Sequence, residues 1–220
     1  MTHFKTDDWT TTESLIDFDG IPDTISSSST LCIAKPAPLT EHALPMRITN
    51  RYADRGDCRI IVTSSAGAEE TIRQQKAIEP LEESRIGVVD TTANDYLAAL
   101  YQENPTISLP HSRELTQLSL AVWDLHETLS EPCEKTHIII QSLTPILAEG
   151  RLESVINVLE RWIEQQRATS SLTVFSIEYT EHDEATMVAL ERLVDGIVWV
   201  EQTERQKLRL DYQRARGREQ

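Results

Sequence analysis

The chain has 220 residues and carries 36 Asp and Glu against 21 Lys and Arg, a formal charge of −15. Its hydrophobic content of 39% supports one ordinary core, and no stretch approaches the ~18 uninterrupted apolar residues of a membrane span. Such acidity excludes a general nucleic-acid binder, which needs cations against phosphates, and residues 1–8 lack the apolar core of a signal peptide, which predicts a cytoplasmic protein.

Taken in chain order, residues 1–29 are acidic and polar and end in Ser26-Ser27-Ser28-Ser29, which reads as an N-terminal segment or linker. Leu15, Ile16 and Phe18 offer a short helix that docks on the domain. Residues 30–217 read as one domain, with 218–220 as a tail. Strands are predicted at 30–34, 59–64, 86–90, 137–141, 172–177 and 197–201. Their apolar runs are continuous, as in Ile60-Ile61-Val62 and Ile138-Ile139-Ile140, which is the pattern of strands covered on both faces. Helices are predicted at 68–78, 112–129 and 151–167. In the second, Leu115, Leu118, Val122, Leu125 and Leu129 form one stripe, and Leu152, Val155, Ile156, Leu159, Trp162 and Ile163 do so in the third. Strands alternating with helices predict right-handed crossovers and a mostly parallel sheet with helices on both faces. The segments 197–200 and 207–212, joined by a polar loop at 201–206, predict an antiparallel C-terminal hairpin.

Only five of the basic residues are lysines, Lys5, Lys35, Lys76, Lys135 and Lys207; the rest are arginines. Many carboxylates with few lysines and few aromatics match a protein of a high-salt cytoplasm, where self-repulsion is screened. Cys32, Cys58 and Cys133 show no metal-binding spacing and suggest two buried thiols and one exposed thiol, without a disulfide.

Ligands of open α/β sheets bind at the carboxyl ends of the strands. After the strand at 30–34 the chain runs Lys35-Pro36-Ala37-Pro38-Leu39-Thr40-Glu41-His42. A phosphate-binding loop needs glycines and inward N–H groups; this segment has no glycine, and its two prolines remove donors. Lys35 is expected as a solvated loop residue. At the end of the fourth strand stands Gln141, a neutral group where metal-assisted nucleotide hydrolysis uses an Asp. Glu69 and Glu70 open the helix at 68–78, as the helix dipole favours. His126 with Glu127, and the run Glu181-His182-Asp183-Glu184, suggest no metal site beyond an acidic helix opening, and no hydrolase elbow is present.

The segment Ile138-Ile139-Ile140-Gln141-Ser142-Leu143-Thr144 resembles the fourth-strand region of the RecA/KaiC family, with Gln141 in place of its Asp. Residues 193–200, Leu-Val-Asp-Gly-Ile-Val-Trp-Val, are similar to that family's entry into its hairpin, and Leu208-Arg209-Leu210 with Arg214-Ala215-Arg216-Gly217 to its last strand. Ser112 to Ala121 resembles a stretch of small haloarchaeal RecA/KaiC-like proteins. The likeness spans about residues 30–217 and implies a RecA-like fold whose nucleotide site is degenerate at Lys35, Thr40, Glu69, Glu70, Gln141 and Ser142. It implies a non-catalytic regulatory or scaffolding domain without a cofactor. An altered nucleotide sensor or ATPase using Lys35, Thr40 and Ser142 is the alternative. The positive exception to the global charge, Arg205, Lys207, Arg209, Arg214, Arg216 and Arg218, reads first as a solvated edge strand. Its functional reading is a contact surface for a protein partner or a second copy. A nucleic-acid regulator acting through these arginines is the weakest of the readings, and no membrane contact is expected.

Overall fold

In a computed structural model, describing residues 16–39, 43–79, 85–93, 95–100, 102–110, 115–131, 133–204 and 207–215, the apolar runs become strands of one sheet. The first half contains β1 (Ile16–Asp17), β2 (Thr30–Lys35), α1 (Leu44–Tyr52), β3 (Cys58–Thr63), α2 (Ala68–Ile78), β4 (Ile86–Ala93), β5 (Leu97–Ala99) and β6 (Thr106–Pro110). The second contains α3 (Leu115–Ser130), β7 (Thr136–Ile140), α4 (Thr144–Glu149), α5 (Leu152–Ala168), β8 (Thr173–Glu178), α6 (Glu184–Glu191), β9 (Gly196–Gln202) and β10 (Leu208–Arg214). The ten strands lie in the order β1-β10-β9-β2-β8-β7-β3-β4-β6-β5. All pair in parallel except β5 against β6 and β10 against β9. The fold is therefore α/β, with a mostly parallel sheet and an antiparallel C-terminal hairpin.

Strand alternation explains the layers. Cys32 and Ala34 of β2 face the core shared with α3, α4, α5 and α6, while Leu31 and Ile33 face the opposite side with α1. Ile138 and Ile140 join the first core, and Ile139 packs with Met46 of α1 and Ile72 of α2. Burial on both faces is why these strands carry no polar alternation. Among the described residues no helix is long and apolar enough to cross a membrane.

Beyond α1, α4, β5 and β6, which the sequence pattern does not mark, three features differ from the sequence reading. The docking expected of Ile16 and Phe18 is made by a strand, not a helix: Ile16 is buried and β1 pairs with Leu208 and Arg209 of β10. That pairing covers part of the hairpin edge expected to stand solvated. The turn after β1 requires Gly20, because a Cβ there would collide with the backbone carbonyl of Leu210, while the Tyr212 N–H donates to the Gly20 carbonyl at 3.0 Å. Gly20→Ala is expected to cost about 1–3 kcal/mol through forced displacement of this turn, measured by urea denaturation. An unchanged midpoint would show that the turn does not need this close approach.

The third difference is covalent. Cys58, at the start of β3, is bonded to Cys133, beyond α3, with Cα atoms 5.8 Å apart. Both are buried, which corrects the expectation of an exposed Cys133 and of three unlinked thiols. Cys32 alone keeps a thiol, and burial pushes its pKa far up, leaving it protonated. Beside the disulfide, the fully buried Arg59 ties α1 and α2 to the sheet. Its Nη2 reaches Glu79 at 2.6 Å, its Nε donates to Asn50 at 2.8 Å, and its Nη1 donates to the Asp57 carbonyl at 2.8 Å.

Candidate functional site

The carboxyl ends of β2, β7 and β8 meet at one place because these strands are neighbours in the sheet, although they are far apart in sequence. Lys35, the last residue of β2, stands in register with Glu178, the last residue of β8. Its Nζ lies 3.0 Å from Glu178 Oε1 and donates to the Leu39 carbonyl at 3.1 Å. Lys35 is fully buried. It is not the solvated loop residue expected: the strand runs one residue further than the apolar run suggested, and the carboxylate on the next strand makes burial of the charge tolerable.

Glu178 is held from a second side. Its Oε2 accepts from the Ser142 hydroxyl at 2.6 Å, and its backbone N–H donates to Thr144 Oγ1 at 3.1 Å. Thr144 Oγ1 also lies 3.0 Å from His182 Nε2, and the Thr144 N–H donates to Ser142 Oγ at 3.2 Å. Burial pushes the Glu178 carboxyl up, but hydrogen bonds from Ser142, Thr144 and Lys35 together with the lysine charge outweigh it. The net pKa lies below the usual carboxylate range. The result is a closed circuit of one cation, one anion and two hydroxyls, in which the lysine already has its counter-charge.

Gln141 is completely buried, and neither atom of its side-chain amide has a hydrogen-bond partner. Its backbone is fixed by the N–H bond to the Val62 carbonyl at 3.0 Å and by the Ser176 hydroxyl, which donates to its carbonyl. A neutral amide is a poor ligand for a hard divalent cation. Among the described residues no group of three His, Cys, Asp or Glu stands close enough to hold a metal.

The remaining sequence candidates do not join this cluster. Glu69 is exposed in the first turn of α2, and Glu70 pairs with Arg73 while accepting from Gln74 at 3.0 Å. The N-terminus of that helix is capped by Asp90, whose Oδ2 accepts from the Ala68 N–H at 2.8 Å. The sequence gives no sign of this cap, because the neighbours of Asp90 mark it only as a strand end. Thr40, Arg205, Arg216 and Arg218 lie outside the described residues. Lys207 is exposed at the start of the return strand. Arg209 and Arg214, both exposed, are five positions apart on β10, so they project to opposite faces of the sheet. The acidic run resolves as a helix opening: Asp183 caps α6 by accepting from the Thr186 N–H at 2.8 Å.

These features define an α/β protein whose strand-end site is occupied by its own ion pair. The family model described as a family of unknown function, DUF7504, matches residues 28–200, and the chain belongs to that family. No curated protein matches the chain.

Proposed function

We propose that this chain is a RecA/KaiC-like domain that does not hydrolyse ATP and acts as a regulatory or scaffolding partner through protein contacts. The observation that carries the reading is the Lys35–Glu178 pair. A triphosphate at the end of β2 requires an uncommitted cation and inward N–H groups. Here the cation is neutralised at 3.0 Å by a carboxylate that would itself repel phosphate. The glycine-free segment after Lys35 and the neutral Gln141 agree with this. Leu120 and Trp123, exposed along α3, are side chains of the kind that protein contacts use. The acidic composition suits a cytoplasm of high salt, where such apolar contacts strengthen while charge attraction is screened.

Titration calorimetry with ATP and Mg²⁺ in molar KCl tests the reading. No saturable binding tighter than about 1 mM is expected at this site. Tighter binding that Ser142→Ala weakens and Arg214→Gln leaves intact would overturn it, because Arg214 lies away from these strand ends.

A further inference from the structure

A polar cavity lies at the opposite, amino edge of the sheet, with a volume of about 630 Å³. It is formed where the loop before β2, the end of α5, the start of β9 and the end of β10 converge. We propose that this cleft binds a small phosphorylated ligand, with Arg214, the outer N–H groups of Arg167, and the hydroxyls of Ser26, Ser28 and Tyr212 as its donors. The inference is independent of the reading of the carboxyl-edge site.

The charge count supports an anion. Among the described residues that line the cleft Asp195 is the one acid, and it is already engaged: Arg167 Nη2 contacts its two carboxylate oxygens at 3.1 and 3.0 Å, and the Thr30 N–H donates to Oδ2 at 2.8 Å. Those bonds use one nitrogen of Arg167, so its other guanidinium N–H groups remain to donate. Arg214 has no ion-pair partner among the described residues, in a chain whose formal charge is −15. The cleft is thus locally positive on a negative molecule, and a guanidinium fork matches an oxyanion in both charge and shape.

The serine hydroxyls favour a phosphoryl group over a single planar carboxylate, because they approach from a different chain segment than Arg214 and can rotate their protons toward several acceptors. The Ser26 and Ser28 hydroxyls are hydrogen-bonded to each other at 3.2 Å, which leaves one proton of the pair to donate to an oxyanion and holds both oxygens at one place. The Tyr212 ring is seated against Gly196, where a Cβ would strike it, so the backbone fixes where its hydroxyl stands. Burial raises the phenol pKa, with Arg214 opposing and Asp195 adding to the shift, and the hydroxyl keeps its proton as a donor. The volume falls within the ~300–1,000 Å³ range of small-molecule sites.

The test is calorimetric titration of the full chain with inorganic pyrophosphate, and separately with citrate, in molar KCl. Saturable pyrophosphate binding is expected, weakened about tenfold or more in Arg214→Gln, the loss of one charge-assisted hydrogen bond. Ser28→Asp, which places a like charge in the cleft, is expected to abolish it. Arg214 is exposed and Ser28 half-buried, so circular dichroism is expected to show both variants folded. Absence of saturable pyrophosphate binding, or binding equal in wild type and both folded variants, would overturn the proposal. Citrate binding as tight as pyrophosphate would overturn the assignment to a phosphoryl group. ATP binding lost in Arg214→Gln but kept in Ser142→Ala would support this cleft and leave the carboxyl-edge reading standing.

Discussion

Replacing Glu178 with glutamine is expected to lower the stability of the protein by about 3–5 kcal/mol, the range for leaving one member of a buried ion pair without its partner. Lys35 has no water to turn to: its side chain is 1% exposed and that of Glu178 14%. Leu39 can supply one carbonyl, but not a compensating charge. The double variant Lys35→Met/Glu178→Leu is expected to recover most of the loss, because apolar side chains of similar volume remove both desolvation penalties together. Urea denaturation of wild type, Lys35→Met, Glu178→Leu and the double variant closes the cycle, with Glu178→Gln measured beside them. A Glu178→Gln midpoint equal to wild type would remove the pair as the element that closes the strand ends. The same carboxyl gives a pH dependence. Its folded pKa is depressed, so the unfolded chain binds the proton more tightly. The contribution is therefore complete above the ordinary carboxylate range near about 4.3 and fades as pH falls below it toward the folded value. In Glu178→Gln that part of the acid dependence is expected to disappear.

Lys35 also shows where one-dimensional reading stops. Continuous apolar runs such as Ile138-Ile139-Ile140 announce strands buried on both faces, and the stripe from Leu118 to Leu129 announces the helix that covers them. These signals are local, and the structure keeps them. Whether a lysine at a strand end is solvated or buried depends on what the adjacent strand presents. The residue that decides it, Glu178, is 143 positions away and becomes a neighbour only through the pairing of β2 with β8. Asp90 was hidden for the same reason, since it caps a helix 22 residues earlier. Helix α1 was hidden differently. It is nine residues long, has Pro45 in its first turn, carries Ile48 and Thr49, and has no side-chain cap, so propensity does not mark it. It forms because Leu44, Met46 and Ile48 are buried against the sheet.

The glycine-free segment and Gln141 were legible as departures from a phosphate site, because such sites demand particular residue types at fixed spacing. The cleft at the amino edge had no such code. Its donors come from Ser26, Arg167 and Arg214, and only the fold assembles them. The cluster of arginines near the C-terminus was visible as composition, but composition does not tell faces apart. Strand parity separates Arg209 from Arg214, and only the second reaches the cleft. Local charge therefore matters more than the total of −15: it distinguishes an edge closed by an internal ion pair from one where, among the described residues, Arg214 has no ion-pair partner.

Reduction of the Cys58–Cys133 bond is expected to destabilise the protein by about 2–4 kcal/mol. The bridge joins residues 75 positions apart, a loop for which the chain-entropy model alone places the effect just above that range, at about 4.5 kcal/mol. It links the start of β3 to the segment between α3 and β7, two strands that are neighbours in the sheet. The folded chain can keep these contacts without the bond, because the β3–β7 ladder from Cys58 to Val62 holds them, and Cys58 N–H donates to the Lys135 carbonyl at 2.8 Å. The expected change is thus a lowered denaturation midpoint with an unchanged fold. Urea denaturation with and without a dithiol reductant measures it, and Cys58→Ala/Cys133→Ala reports the same loss plus a cavity contribution at the fully buried Cys58. Thiol titration under denaturing conditions gives the control. The untreated chain is expected to yield only the Cys32 thiol, and the reduced chain those of Cys58 and Cys133 as well. Equal midpoints in the oxidised and reduced states would show that the bridge does not restrict the unfolded ensemble enough to change stability.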